Sequence, residues 1–543
     1  MNMDASVETL PPAPKKTRAW LIGCIVFVLA FDIAFFWQRT GGAYRSEFGA
    51  HPDEAAHYVT GLFVRDSLVM AARYVADGCQ GSPIRVGKDF ADTYYAHYPK
   101  VSLGIWPPVF YLVQSAWTLP LSPSRTSILF LMCALAAALA VLIFRALRDE
   151  YGIWPAALGA ALLLSLPLVR GSYGMVMAET LSALLMFGAA LVFGSFLDRE
   201  KRGDALRFGI LAALAILTKG TGLALALVAP LALLFTRKFH LLKRPALWGG
   251  VLIVAVVAGP WTWATRNLGK GGWIEPSPSW HFTREAVPYY ATKFGLGLGV
   301  IALLLFCIGA MLKLRACPQN RGRWAAAGAL ILAVFIFQAV TPVGLEARHL
   351  IPILPAAVMF AIAGLAALAG MAKSRKGLAS AVLGVAVLAA SVWPLSQKGF
   401  SGFAPLAAAL LEEAGPEEVT LVSSDARGEG MFISEVAMRE QRPGHVIQRA
   451  SKSLASSTWS GSGYAPLFAD DDALLAFLTG GKIQYLLIDD ALPEAKRREH
   501  HDQLKRLIEL HPDRFWVAAS SEIFRDGERQ FTPAKLYKIQ RRK

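Results

Sequence analysis

Two acids and two histidines stand close together directly after the first long apolar segment of the chain. The stretch "FGAHPDEAAHYVTGLFV" contains His51, Asp53, Glu54 and His57. Pro52 is suited to the first turn of a helix, and the helix dipole favours a carboxylate at that position. Such a carboxylate could accept the proton of an attacking hydroxyl or amine. The alternative is that the two acids only stabilise the start of a helix, which we expect to lie along the membrane surface.

Two cations stand beside apolar segments. Lys219 separates two apolar runs in "LAILTKGTGLAL", and Arg348 precedes another in "EARHLIPILPAAVMF". Ionisable residues at membrane depth are costly and usually functional, while Gly220 and Gly222 favour a broken helix whose backbone lines a cavity. Together the two cations could bind a phosphate, for which arginine offers a bidentate fork. The alternative for Lys219 is a side chain that extends its ammonium to the membrane interface.

The composition indicates that membrane helices position these residues. The chain has 543 residues, of which 54% are hydrophobic and only 17% are charged, against about 25% charged residues in soluble domains. Long apolar runs recur, and many reach the roughly 20 residues that cross a bilayer. The net charge of +15 would suggest nucleic acid for a soluble protein. Here much of the excess lies in short loops between apolar runs, so we expect the bilayer, and no nucleic acid, as a partner.

The sequence predicts a polytopic α-helical membrane protein with about eleven spans. The first run exceeds the apolar region of a cleaved signal peptide, about 7–15 residues, so we interpret it as an uncleaved span. The predicted spans are 19–38, 126–144, 153–169, 180–197, 205–218, 221–236, 247–265, 295–312, 324–342, 350–371 and 378–395.

Every second loop is rich in lysine and arginine, which predicts that these loops are cytoplasmic. Residues 1–18 then form a cytoplasmic N-terminus and 19–395 the transmembrane domain. Its first extracytoplasmic loop covers about 39–125, and 266–294 is another outer loop. The tail, 396–543, is predicted to be an extracytoplasmic soluble domain. We expect the protein in the cytoplasmic (inner) membrane of a bacterium.

The tail has the pattern of a small α/β domain. "EEVTLVSS" and "KIQYLLIDD" are predicted strands, and "RFWVAAS" is a weaker candidate. "DDALLAFLTGG" predicts a helix that a glycine ends. Strands that alternate with helices are typical of α/β folds.

Two motifs of the first outer loop, "HPDEAAHYVTG" and "WPPVFYLVQ", resemble the corresponding loop of C-fold membrane glycosyltransferases. The closest likeness is to glycosyltransferase family 39 and its relatives, which include protein O-mannosyltransferases and the lipid A aminoarabinose transferase. Members carry an Asp-Glu pair on a surface helix after the first span, then a Pro-Pro return to the membrane. Many have a Lys or His before the two prolines, where this chain has Trp106.

Four further stretches follow in the order of the family. "VRGSYGMVMAETLSALLMF" looks like its second outer loop, with Arg170, and with Glu179 where Asp is common. "LAILTKGTGLAL" looks like its Thr-Lys-Gly turn, and "GPWTWATRN" like its Pro-Trp segment. "EARHLIPILPAAVMF" looks like its Arg-Tyr-Leu-Leu-Pro stretch, with His349 in place of Tyr. The resemblance covers about residues 20–370.

The resemblance implies inverting transfer of a sugar from a polyprenyl-phosphate donor to an extracytoplasmic lipid, glycan or protein. Lys219 and Arg348 would bind the donor phosphate. Asp53 would be the catalytic base, Glu54 a positioning residue, and Glu179 would orient the acceptor or the base. Candidate contacts to the acceptor or the sugar are His57, Tyr58, Trp106 and Arg170.

A divalent metal site is the alternative for some of these residues. Asp53 and His57 are four positions apart and can face the same way on a helix, and His51 and Glu179 could complete a ligand set. By the resemblance, close relatives work without an obligatory metal, whereas oligosaccharyltransferases of the same broad fold use a divalent ion. We therefore predict no obligatory metal or other cofactor, and a hydrogen-bonding role for His57.

A transporter or flippase for an anionic lipid-linked substrate is the alternative function. Transporters often contain internal repeats and broken helices near the bilayer midplane. This sequence has one candidate break, no evident repeat of one half in the other, and a large early outer loop that bears acids. These features favour the enzyme.

Overall fold

The computed structural model describes residues 16–316, 321–371, 397–457, 463–526, 528–530 and 532–540, together with positions 384 and 386. Within these ranges, the regular elements up to Met371 are all helices, and both helices and strands occur from Phe403 onward. The predicted fold class, a polytopic helical protein with a small C-terminal α/β domain, is thereby confirmed.

The helical part contains long apolar helices and, between the first and second of them, three shorter ones. In chain order the helices are α1 (Lys16–Thr40), α2 (Glu54–Ala76), α3 (Pro83–His97), α4 (Val109–Thr118), α5 (Arg125–Tyr151), α6 (Ile153–Ser165), α7 (Pro167–Tyr173), α8 (Glu179–Arg199), α9 (Arg202–Ile216), α10 (Leu225–Thr236), α11 (Pro245–Val257), α12 (Gly259–Ala264), α13 (Arg266–Gly269), α14 (Trp280–Leu298), α15 (Val300–Ala316), α16 (Arg321–Val340) and α17 (Leu354–Met371). Short 3-10 helices cover Gly220–Ala224, Phe239–Lys243, Lys270–Gly272 and Ala347–Ile353.

Among the described residues, five helices are long and apolar enough to cross a membrane, and up to seven spans result if each of two bent pairs is one span. The bent pairs are α6 with α7, at 69°, and α14 with α15, at 105°. Each predicted span up to 350–371 overlaps one or more helices, and the two bends fall inside the predicted spans 153–169 and 295–312. The span predicted at 378–395 lies almost wholly outside the described residues, so the number eleven stays a prediction.

The predicted outer loop 266–294 differs in the structure, because α14 occupies its second half. Charged residues such as Arg284 and Lys293 interrupt the apolar pattern of this helix, so hydropathy alone did not indicate it. Its buried face carries Phe282 and Tyr290, which pack into the main hydrophobic core of the protein.

The first half of the helix that follows the first span is buried in protein. The first half of α2, Glu54–Val64, is buried throughout, and α2 packs against α4. Its second half, from Arg65, is a mixture of half-buried and exposed residues. Protein therefore covers the half of α2 that carries the acids, and the position of this helix along the membrane surface stays a prediction.

The C-terminal domain is an α/β sandwich around a five-stranded sheet with strand order β2-β1-β5-β9-β6. The first three strands in that order are parallel, and β9 pairs antiparallel with both β5 and β6. The strands of the domain are β1 (Val419–Ser423), β2 (Val446–Arg449), β3 (Ala455–Ser456), β4 (Ala465–Pro466), β5 (Tyr485–Asp489), β6 (Phe515–Ser521), β7 (Phe524–Arg525), β8 (Glu528–Arg529) and β9 (Ala534–Ile539). Its helices are α18 (Phe403–Glu413), α19 (Ala426–Arg439), α20 (Ala450–Ser453), α21 (Asp471–Thr479) and α22 (Glu499–Leu510).

The two faces of this sheet have different partners, because alternate strand residues point to opposite sides. On β5, Leu486 and Ile488 pack with leucines of α21 and α22. Leu487 and Tyr485 face the other way and join the same hydrophobic core as the membrane helices. The C-terminal domain is therefore docked on the helical part through a continuous apolar core.

Candidate active site

Asp53 stands immediately before α2, as the N-cap residue of that helix. Its side chain makes no capping hydrogen bond, which argues against the alternative that this acid only stabilises the helix start. Instead, Oδ2 of Asp53 accepts a hydrogen bond from Nη2 of Arg348 at 3.0 Å. The side chain is 18% exposed, so it is open to a ligand.

Glu179 is the first residue of α8 and is buried. Its Oε1 accepts hydrogen bonds from Nζ of Lys219 at 2.5 Å and from Nη1 of Arg348 at 3.2 Å. A buried carboxylate needs such partners, because an isolated charge is costly away from water. Glu179 thus holds the two predicted phosphate-binding cations side by side.

Lys219 lies where the helical backbone is interrupted between α9 and α10. Its backbone is extended, with φ −157° and ψ 143°, between the end of α9 and the 3-10 helix Gly220–Ala224. A Cβ atom on Gly222 would lie 2.6 Å from backbone atoms of Ala215 and Ile216, so this close chain crossing requires glycine. The predicted break at Lys219–Gly220 is thus present, and it directs Lys219 to Glu179.

Arg348 is the centre of a cluster of charged side chains, which consists of Asp53, Glu179, Lys219, Glu346 and Arg348. It lies in the 3-10 helix that leads into α17, and its guanidinium contacts the carboxylates of Asp53, Glu179 and Glu346. Residues from four separate parts of the chain therefore meet at one point. The predicted base, the predicted orienting acid and both predicted phosphate-binding cations are all in this cluster.

Glu346 is a member that the sequence interpretation missed, although it lies two positions before Arg348. It ion-pairs with Arg348, and its Oε2 is 3.4 Å from Nε2 of His51. Burial alone would raise its pKa, but the hydrogen bond from His51 and the positive charge of Arg348 lower the pKa of Glu346 well below its usual range. Glu346 is thus a fixed negative charge that contacts the Nε end of the Arg348 guanidinium, while Glu179 contacts Nη1.

His57 lies one turn beyond Asp53 and is buried. Its Nδ1 is hydrogen-bonded to the hydroxyl of Tyr111 at 2.8 Å, and its ring stacks on Trp106 with 4.1 Å between the ring centres. Burial lowers the pKa of His57 to about 4, because the charged form loses its hydration. The expected hydrogen-bonding role agrees with this geometry, and Trp106 forms part of the wall beside the cluster.

Glu54 is adjacent to Asp53 but points away from Arg348. Its Oε1 accepts hydrogen bonds from Nζ of Lys398 at 2.6 Å and from the backbone N–H of Val176 at 3.2 Å, while Oε2 accepts from the N–H of Ala50 at 3.0 Å. Lys398 precedes the C-terminal domain, and no local pattern in the sequence connects it with Glu54. The arrangement suits the positioning role expected of Glu54.

Two predicted contact residues lie elsewhere in the fold. The hydroxyl of Tyr58 donates to the carbonyl oxygen of Pro123 at 2.6 Å, and its ring packs on Phe48. Arg170 is on α7, with its guanidinium 4.9 Å above the ring of Trp37. The structure therefore gives both residues contacts that shape the first loop and the end of α1.

The proposed metal ligands do not form one group. Within the described ranges, no set of three or more His, Cys, Asp or Glu side chains is arranged to hold a metal ion. Glu179 is neutralised by two cations, which would repel a divalent ion, and His57 faces Tyr111 and Trp106.

Comparisons with known proteins agree with this architecture. The sequence profile of the dolichyl-phosphate-mannose-protein mannosyltransferase family matches residues 106–263, a range that includes Glu179 and Lys219. No curated protein sequence matches the chain.

Solved structures resemble this chain over nearly its whole length. ArnT from Cupriavidus metallidurans superposes with a TM-score of 0.60 in the apo state and 0.58 when bound to undecaprenyl phosphate. In both cases the sequences are 14% identical, and the match covers 96% of this chain and 98% of ArnT. The Archaeoglobus fulgidus oligosaccharyltransferase, in complex with zinc and sulfate, gives a TM-score of 0.51 at 12% identity, covering 85% of this chain and 67% of that chain.

The predicted resemblance to glycosyltransferase family 39 is therefore confirmed. The chain has the C-fold of membrane glycosyltransferases, and over residues 106–263 it resembles the dolichyl-phosphate-mannose-protein mannosyltransferases.

Proposed function

We propose that the protein transfers a sugar from a polyprenyl-phosphate donor to an acceptor hydroxyl or amine, with inversion at the anomeric carbon. The observation that carries the proposal is the contact of Arg348 with both Asp53 and Glu179, beside Lys219. This arrangement puts a carboxylate that can accept a proton next to two cations that can bind a phosphate. The ligand named for the similar ArnT structure, undecaprenyl phosphate, supports a donor of the same class.

Lys219 and Arg348 still have N–H groups that can donate hydrogen bonds to a phosphate. Lysine has three N–H groups and arginine has five. Lys219 uses one of its N–H groups on Glu179, and Arg348 uses one each on Asp53, Glu179 and Glu346. The remaining N–H groups of both residues are available for phosphate oxygens. Both side chains are 19% exposed, so a ligand can reach them.

The chemistry is one displacement. The bond between the anomeric carbon and the phosphate oxygen breaks while the acceptor oxygen or nitrogen bonds to that carbon. The electron pair of the broken bond stays on the phosphate, where Lys219 and Arg348 stabilise the developing charge. The acceptor proton passes to Asp53. Since cations already occupy the place of an electrophilic metal, we propose that no metal ion takes part.

We also propose the orientation and location of this site. The alternation of basic loops supports a cytoplasmic N-terminus, an extracytoplasmic C-terminal domain and a location in the inner membrane of a bacterium. The site would then face the outside, where the acceptor is a lipid, a glycan or a protein. The domain limits 1–18, 19–395 and 396–543 belong to the same proposal.

Sugar transfer by the purified full-length protein tests the proposal. Labelled polyprenyl-phosphate sugars and a cell-envelope extract are supplied, and transfer is compared among variants. We expect Asp53→Asn to lower transfer by about 10²–10⁴-fold, the usual contribution of a general base, while donor binding is kept. Lys219→Gln should instead weaken donor binding.

Asp89→Asn is the matched control, because Asp89 is an exposed acid on α3 of the same loop. This variant should transfer sugar at the same rate as the unmodified protein. Unchanged transfer by Asp53→Asn would contradict the assigned base. If no sugar is transferred from any of the donors, but the protein moves a donor between the leaflets of a vesicle, the protein is a flippase.

A further inference from the structure

A cavity of about 740 Å³ lies outside the candidate active site, between the outer end of α1 and the segment that leads into the C-terminal domain. Aromatic rings and cations line different parts of it. The lining residues on which the inference depends are Phe35, Phe36, Arg39, Arg45, Lys398 and Phe524.

The two arginines of the cavity have no carboxylate partner among the described residues, and both are exposed. The nearby acids are used elsewhere. Glu47 accepts hydrogen bonds from the backbone N–H groups of Gly402, Phe403 and Ala404, and Glu54 binds Lys398. Arg39 and Arg45 therefore give the cavity a positive charge that no acid of the described part of the chain neutralises.

Arg39 and Arg45 lie at and shortly after the end of the first candidate span. Helix α1 is a candidate span over Trp20–Thr40, so Arg39 lies in its last turn. By the predicted orientation this end is on the extracytoplasmic side. Phe35 and Phe36 lie one turn deeper on the same helix, at the level of lipid chains. An apolar wall below two unpaired cations is complementary to a lipid whose headgroup carries negative charge.

We propose that this cavity binds the headgroup phosphate of an anionic phospholipid from the outer leaflet. Arg39 and Arg45 bind the phosphate, and Phe35 and Phe36 contact the upper acyl chain. The bound lipid connects α1 with the segment around Lys398, and so with the C-terminal domain. This site is separate from the proposed donor site, and its occupancy does not depend on sugar transfer.

Lipid binding to the delipidated full-length protein in neutral detergent tests the proposal by native mass spectrometry. The probes are dioleoyl-phosphatidylglycerol and dioleoyl-phosphatidylcholine, which differ in net charge. Each arginine near a lipid surface raises the affinity for an anionic lipid about fivefold. We therefore expect phosphatidylglycerol to bind roughly 25-fold more tightly than phosphatidylcholine. Each of Arg39→Gln and Arg45→Gln should remove about fivefold of that preference, and the double variant nearly all of it.

Matched variants and a competing anion complete the experiment. The double lysine variant, Arg39→Lys with Arg45→Lys, keeps the charge and should keep most of the preference. Arg85→Gln removes an exposed arginine of α3 and should change nothing. Equal binding of both lipids, or an unchanged preference in the double glutamine variant, would overturn the proposal. Displacement of phosphatidylglycerol by millimolar inorganic phosphate would show a site for free phosphate and would also overturn it.

Discussion

At the scale of single residues, the candidate active site is an arrangement of charges that neutralise one another. Glu179 separates Lys219 from Arg348, and Arg348 in turn joins Glu179 to Asp53. Each buried charge has an opposite charge in contact, which offsets the loss of hydration. The neutral member beside them is His57, which is buried against Tyr111 and Trp106.

His57 makes stability depend on pH. Its pKa is lowered from 6.5 to about 4 by burial, so between these values the unfolded chain binds the proton and the folded protein does not. This histidine leaves stability unchanged above pH 6.5, and the free energy of unfolding falls as the pH drops from 6.5 to 4. The loss should be roughly 3 kcal/mol. Thermal unfolding at pH 7 and pH 4.5 measures this loss. Between these two pH values, His57→Gln should lose less stability than the unmodified protein, by most of this amount.

The exposed His281, on α14, provides the control for that measurement. His281→Gln should keep the pH dependence of the unmodified protein. If His57→Gln and the unmodified protein lose the same stability on acidification, His57 does not remain neutral in the fold.

At the scale of elements, the break between α9 and α10 positions Lys219. Gly222→Ala would place a Cβ atom 2.6 Å from the backbone of Ala215, so the chain crossing must open and Lys219 must move. We expect a loss of donor binding and at least a tenfold loss of sugar transfer, since a displacement of about 1 Å can cost 10²-fold. Binding and transfer assays on purified protein measure both.

Gly220→Ala is the matched control for this element. A Cβ atom on Gly220 meets nothing within 4 Å, so donor binding and transfer should persist. Normal transfer by Gly222→Ala would show that the glycine crossing does not set the position of the lysine.

At the scale of the whole molecule, the C-terminal domain and the first loop are held together by buried polar contacts. Nε of Arg442 donates to Oδ2 of Asp66 at 2.7 Å, and the hydroxyl of Tyr98 donates to Oε1 of Glu440 at 2.6 Å. The pair between Lys398 and Glu54 lies next to Asp53. The domain is thus part of the support of the active-site helix α2.

Lys398→Met should therefore affect stability and transfer together. Both side chains of this pair are nearly inaccessible, at 8% for Lys398 and 0% for Glu54. Removing one partner of a buried ion pair costs about 3–5 kcal/mol, because the other charge is then buried without compensation, whereas replacing both partners by well-packed uncharged side chains costs much less. The apparent melting temperature should fall in Lys398→Met and recover in the double variant Lys398→Met with Glu54→Gln.

Lys482→Met, in an exposed part of the C-terminal domain, is the control for Lys398 and should change stability by less than about 0.5 kcal/mol. A melting temperature of Lys398→Met equal to that of the unmodified protein would rule out a supporting role for the pair. Failure of the double variant to recover would mean that other contacts of the pair dominate, such as the hydrogen bonds of Glu54 with the N–H groups of Ala50 and Val176.

Local patterns in the sequence determined most of the element types. Apolar runs of membrane length and the Asp-Glu, Thr-Lys-Gly and Arg-His-Leu motifs were sufficient to predict the fold class and four residues of the cluster, which are Asp53, Glu179, Lys219 and Arg348. They were insufficient for α14, whose charged residues hide its buried face. They also did not indicate that the first half of α2 is buried.

Only the tertiary structure decided which charges meet. Arg348 is 295 positions from Asp53 and 169 from Glu179, and Lys398 is 344 positions from Glu54. Pairing over such separations depends on how the helices pack, which no local pattern encodes. The same packing recruited Glu346 and Lys398 as partners, because each buried charge needs an opposite charge within contact distance.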